Sequence, residues 1–194
     1  MRKLFVPLAL LLLLTACAAR VPYKLVPDYT RKGIQTIVVL PVTDKAGDAR
    51  AAQMLRKKLV QDIYFKGYPK LSPEAVDLRL ALLTPQNGAV SGNIDPHTVG
   101  LLTGAEAALY CTLETLKTSY LALFARMTVE ADFALRSTTT GEVLWEAHYA
   151  TKETCSDITR SRLKVKSCQL CEALLQEAVD KVLMTLPDRG EAVK

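Results

Sequence analysis

The chain has 194 residues, of which 49% are hydrophobic, and its 25 basic and 20 acidic side chains leave a formal charge of +5. So slight a basic excess excludes a nucleic-acid binder built on phosphate contacts, and the length suits one domain with a true core. No internal repeat, low-complexity tract or long charge block divides it, so a single folded unit is expected.

Arg2 and Lys3 precede an apolar run, Leu4 to Leu14, that stops at Leu14-Thr15-Ala16-Cys17. The run is about half of the ~20 residues a membrane-crossing helix needs, so it reads as the apolar region of a cleaved signal. The tetrad resembles the lipobox of bacterial lipoproteins. That resemblance implies a signal peptide over residues 1–16, diacylglycerol on the Cys17 sulfur and an acyl group on its nitrogen. Two or more chains, at roughly 0.8 kcal/mol per buried methylene, hold a domain durably on a bilayer. In lipoproteins an Asp directly after the cysteine commonly retains the protein in the inner membrane. Ala18 stands there, so the periplasmic face of the outer membrane is expected. Loss of residues 1–16 takes Arg2 and Lys3 with it and leaves a formal charge of +3. Residues 17–30, with Pro22 and Pro27 and no apolar period, read as a lipidated N terminus and extended tether. The folded domain is expected over 31–187 and a tail over 188–194.

Gly33 to Val42 is a β-branched run with almost no polar alternation, the pattern of a strand buried on both faces in the middle of a sheet. An amphipathic helix follows Asp48, with Ala52, Leu55, Leu59 and Ile63 on one stripe, Arg56, Lys57, Lys58 and Asp62 turned to water, and Gly67 at its end. Tyr68 to Leu71 reads as a short edge strand. Pro73 to Leu83 reads as a helix capped by Ser72 and ended by Pro85. Thr84 to Asn93 is a loop, and a short helix begins at Pro96 after Asp95.

Three strands are then expected, Ala107–Thr118, Phe124–Ser137 and Val143–Thr151. In the second, Met127, Val129, Ala131, Phe133 and Leu135 alternate with polar residues, so one face is covered and one is wet. Aligning Phe133 with Trp145 and Ala131 with Ala147 keeps acidic residues out of the core and sets Gly141 where a hairpin bulge needs positive φ. In that register Arg136 faces Glu142 and Glu130 faces His148 on the wet side. After a basic loop, Ser156 to Ser167, a long amphipathic helix carries Cys171, Leu174, Leu175, Ala178, Val179, Val182, Leu183 and Leu186 on one stripe, and Pro187 marks its end.

Five cysteines include Cys17. Cys111 reads as a small buried hydrophobe. Cys155, Cys168 and Cys171 flank the basic loop. In an oxidising periplasm a bridge from Cys155 to Cys168 or Cys171 would close about fifteen residues, an ideal gain of about 3 kcal/mol. Alternatively Ser167 caps a helix whose dipole acidifies Cys168 in a CxxC thiol oxidoreductase, or the three cysteines join His148 or His97 at a metal. The motif does not follow an early strand, as a thioredoxin pattern requires, and no standard zinc spacing occurs, so neither a catalytic residue nor a metal or other cofactor is assigned. No G-x-S-x-G, Walker A or G-x-G-x-x-G run appears, and nothing assembles a nucleophile, base and oxyanion site.

Gly104-Ala105-Glu106-Ala107-Ala108-Leu109-Tyr110, Thr118-Ser119-Tyr120 and Thr140-Gly141-Glu142-Val143-Leu144-Trp145-Glu146, with Ile37-Val38-Val39-Leu40-Pro41 and the lipobox, resemble a family of Gram-negative lipoproteins first noticed as neisserial surface antigens, the domain of unknown function 799. The resemblance spans about residues 1–150, and similar motifs occur in the wider TolB N-terminal and CsgG-like group. It implies a single α/β domain with a mixed sheet of about five strands, helices mainly on one face, no enzymatic activity, and a CsgG-type secretion lipoprotein as partner. After Thr151 the cysteine-bearing basic stretch departs from the family pattern. The expected function is non-enzymatic binding of envelope proteins, with a homo-oligomer as one form. The rivals are a periplasmic thiol oxidoreductase using Cys168 and Cys171 and an activator of a peptidoglycan synthase.

Overall fold

A computed structural model describes residues 21–82 and 94–189. Among them, six strands form one mixed sheet: β1 (Tyr23–Leu25), β2 (Ile37–Val39), β3 (Thr43–Asp44), β4 (Ala107–Leu121), β5 (Phe124–Ser137) and β6 (Val143–Ser156). Their order is β1-β6-β5-β4-β2, with β3 also on β4. β2 and β3 run parallel to β4, and the other pairs are antiparallel. Four helices complete the single α/β domain: α1 (Ala49–Phe65), α2 (Pro73–Ala81), α3 (Pro96–Thr103) and α4 (Arg160–Leu183).

The helices start where capping chemistry puts them. The Asp48 carboxylate accepts from the Ala51 amide, the Ser72 hydroxyl from Ala75 and the Asp95 carboxylate from Thr98, with Pro73 and Pro96 opening α2 and α3. Each cap satisfies an orphan donor and contributes about 1 kcal/mol. α1 and α4 cover one face of the sheet, setting Leu55, Leu59, Leu174, Val179 and Val182 against Val129, Ala131, Phe133 and Leu135. Trp145 is fully buried there and donates its indole N–H to Thr185 Oγ1 at 3.0 Å. On the opposite face α2 and α3 cover one corner only, packing Val76, Leu80 and Val99 on Val38, Leu40 and Ala108.

That division corrects the expectation that the Gly33–Val42 run lies mid-sheet. β2 is an edge strand paired with β4 alone. It is apolar on both sides because Ile37 and Val39 meet the first core and Val38 and Leu40 the second. Arg56, expected in water, is 9% exposed and bridges α1 to α2 across that edge, donating to Asp77 Oδ2 at 2.7 Å and to the Val39 carbonyl at 3.3 Å.

Tyr68 to Leu71 is no strand. Tyr68 instead plugs the core, and because its hydroxyl donates to the Pro187 carbonyl at 3.2 Å, the Tyr29 hydroxyl at 3.0 Å is the donor to it. The fold also begins earlier than expected: within the supposed tether, Tyr23–Leu25 pair with Trp145–Ala147 as β1, and Tyr29 is buried. Edge pairing needs backbone groups, not an apolar period, so composition does not announce it. At the other end Asp188 pairs with Lys66, and Arg189 donates to Gln35 Oε1 at 2.9 Å, so these residues belong to the body. The loop expected over Thr84–Asn93 lies outside the described residues.

Gly141 has the expected positive φ, 72°, but the hairpin register is two further on. Arg136 pairs with Val143, one further than expected, and a bulge at Leu144 adds the second step, so Leu135 pairs with Trp145 and Phe133 with Ala147. Leu144 and Trp145 consequently both enter the core. The expected basic loop before α4 is shorter: Thr159 caps a helix that starts at Arg160, and the buried Leu163, Ser167 and Leu174 continue its stripe beneath exposed basic residues.

Candidate functional site

Among the described residues, the helices leave most of the second sheet face uncovered. Strand alternation brings Tyr110 and Thr112 of β4, Asp132 and Ala134 of β5, Glu146 and His148 of β6 and Lys24 of β1 to that side. Tyr23, Lys24, Tyr110, Asp132, Glu146 and His148 are among the residues lining a concavity of about 480 Å³.

Its aromatic wall is fixed. The Tyr110 hydroxyl donates to the Ile94 carbonyl at 2.6 Å, the Arg136 guanidinium lies 5.7 Å from the ring centre, and burial pushes the phenol up to about 12. Its rim is ionic. Lys24 meets Glu146 at 2.7 Å, which raises the lysine through the hydrogen bond first and the carboxylate charge second. His148 sits between two carboxylates, Nδ1 2.7 Å from Asp132 and Nε2 3.8 Å from Glu130. The shifted register makes Asp132, and not Glu130, the residue facing His148; Glu130 faces Ala150. Asp132 takes the Nδ1 position by a hydrogen bond, while Glu130 reaches Nε2 only at ion-pair distance, so charge surrounds the ring on an exposed sheet surface. The arrangement holds charge and shape, and suits binding a polar or aromatic segment.

Cys17 lies outside the described residues. Cys111 is buried on β4, and burial raises its thiol strongly. Cys155 and Cys171 are half-buried and Cys168 is exposed, and the three are unbridged in this structure. Cys155 and His148 lie seven positions apart on β6 and face opposite sides of the sheet, so they do not meet at one metal. Cys168 and Cys171 lie well inside α4, whose cap is Thr159, so the helix N-terminal field that acidifies a reactive thiol is not at Cys168. Burial raises the Cys171 thiol, and Asp48 adds to it. Both effects run against a thiolate nucleophile. Among the described residues no three His, Cys, Asp or Glu side chains converge as metal ligands, and no helix is long and apolar enough to cross a membrane.

Sequence reasoning named His148 but not the concavity around it. The alternation in β4 and β6 showed which residues share a face, whereas β1 and the bulge at Leu144, which set the neighbours, left no pattern.

No curated protein matches the chain in sequence. Among solved structures it is similar to the lipoprotein GNA1162 from Neisseria meningitidis, at 20% identity and a TM-score of 0.56 over 72% of this chain and 96% of that one. It is also similar to the PelC dodecamer from Paraburkholderia phytofirmans, at 12% identity and a TM-score of 0.53 over 84% of this chain and 93% of that one. At those identities the likeness is one of fold. The family model described as "Putative lipoprotein GNA1162-like" matches residues 28–194, through the C-terminal region expected to depart from the family. The chain therefore belongs to the GNA1162-like lipoprotein family, as the neisserial resemblance of its motifs implied.

Proposed function

We propose that this lipoprotein, acylated at Cys17 after loss of residues 1–16 and held at the periplasmic face of the outer membrane, binds other envelope proteins in surface assembly or secretion and transforms no substrate. The observation that carries the reading is the concavity on the open sheet face: a locked Tyr110 wall with a charged rim. A second feature supports self-assembly. Among the described residues β1 pairs with Trp145–Ala147, and β6 beyond His148 offers an edge that another strand can extend; a fold relative forms a dodecamer. The family resemblance favours a CsgG-type lipoprotein among the partners.

A photo-crosslinking residue at Ala134, inside the concavity, tests the binding role in living cells. A discrete adduct with another envelope protein or a second copy is expected, and an uncrosslinked monomer under all growth conditions overturns it. Incorporation of labelled palmitate into the natural chain, and its loss in Cys17→Ser, tests the anchor separately.

A further inference from the structure

Away from helices α2 and α3, strands β4, β5 and β6 run on to a tip where the apolar side chains face outward. Leu121 is 78% exposed, Phe124 54% and Ile158 76%. Leu123, Phe124 and Ile158 line one shallow depression, and the Asp157 amide donates to the Leu123 carbonyl at 3.0 Å, so the lead-in to α4 is fastened onto the hairpin turn. Val165, in the second turn of α4, is exposed and shares a neighbouring depression with Asp157.

Basic side chains surround this tip on both sides of the sheet. Lys117, Arg126 and Lys152 stand on the open face, as their register with Thr128 and Thr154 requires. Arg160, Arg162, Lys164 and Lys166 project from the first turns of α4 and are exposed. Among the described residues none of these seven enters an ion pair, and the acidic residues within the same segments are Glu153 and Asp157. The mature chain as a whole carries only +3, so the remainder is acidic on balance and the positive charge is gathered at one end.

The direction of β1 points to the same end. β1 is antiparallel to β6, so the chain preceding Tyr23 heads towards Ser156, and the Pro22 carbonyl still accepts from the His148 amide at 3.1 Å. The described chain thus enters the fold from the tip's side of the molecule.

We propose that the tip, Leu121 to Phe124 with Ile158 and Val165, docks onto the surface of a bilayer containing anionic phospholipid, its apolar side chains among the headgroups and its basic surround on their phosphates. The inference takes its orientation from the Cys17 anchor proposed above. A bilayer fits better than a second tip, because symmetric pairing would bring two basic sets together.

The test uses the chain from residue 17 with Cys17→Ser, which bears no lipid and keeps both cores and every described element, all of which lie at residue 21 or beyond. Co-sedimentation with vesicles of phosphatidylcholine and phosphatidylglycerol is expected, weakened by salt and absent with phosphatidylcholine alone. Leu123→Asp with Phe124→Asp, and separately Arg160→Glu with Arg162→Glu and Lys164→Glu, should each weaken binding roughly tenfold or more while the melting temperature holds. Equal binding by both variants, no binding to anionic vesicles by the parent, or a tip-dependent dimer in sedimentation without vesicle binding would each overturn the proposal. Because this chain carries no acyl group, failure here leaves the anchor reading standing. Failure of palmitate labelling removes the anchor and leaves the tip's own affinity measurable.

Discussion

At the base of the sheet, Leu109, Leu135 and Trp145 have no exposure, whereas along the same strands at the tip Leu121 is 78% and Phe124 54% exposed. Residue type does not separate the two regions; the layers laid over them do. At the base α1 and α4 cover one face, and at the β2 corner α2 and α3 cover the other. At the tip only the first turns of α4 overlie the strands, through Leu163 and the 2.8 Å hydrogen bond between Tyr120 and Ser167. Stability is therefore concentrated at the base, and the tip is left open to surfaces outside the molecule.

The largest test of this contrast is Trp145→Ala, which removes a fully buried ring and its bond to Thr185 and should cost about 3–5 kcal/mol in urea unfolding. Gly100→Ala comes next. A Cβ there would stand 2.8 Å from Thr138 Cβ, and Thr138 is held by its own bond to the Ala105 carbonyl, so α3 must shift at a cost of about 1–3 kcal/mol.

The buried tyrosines of the base make a pH test. Burial first, and the Tyr68 hydroxyl next, raise Tyr29 well above an ordinary phenol, and burial raises Tyr68. A raised folded value favours the neutral form. Its stabilisation is complete below the unfolded value near pH 10 and is lost as pH climbs above it, by up to roughly 1.4 kcal/mol per pH unit for each such group. Tyr29→Phe should flatten the alkaline limb of a stability-against-pH curve; an unchanged limb would show that the pair does not set it. The smallest effect is expected at the tip, where Phe124→Ser should move unfolding stability by about 0.5 kcal/mol or less. A loss comparable with Trp145→Ala would abolish the distinction between the regions.

Elements whose signals are local were legible in the sequence. Asp48, Ser72 and Asp95 announced three helix starts, and strict alternation from Met127 to Leu135 gave β5 and its covered face. What depends on neighbours was hidden. The β2 pattern specifies burial on two sides, which a flanked edge strand meets as well as a central one. Arg56 looks solvated until α2 presents Asp77 at 2.7 Å. The start of α4 was masked because its basic residues dominate composition while Leu163 and Ser167 alone mark the inner stripe. Of the site, the sequence offered His148 and a wet sheet face, but a two-residue error in register exchanged Asp132 for Glu130 as its partner.

The way β1 joins the sheet has a mechanical consequence. Any tug on the chain through Val21 acts along the axis of β1, since that strand lies antiparallel to β6 and its leading end points towards Ser156. The backbone bonds that hold it, Pro22 to His148, Lys24 to Glu146 and Val26 to Leu144, are then loaded sideways and together, in shear, and not peeled one after another. A short edge strand is thereby a firmer mooring than its length suggests, and strain arriving from a membrane is handed directly to β6, the strand that carries Trp145 at the heart of the fold.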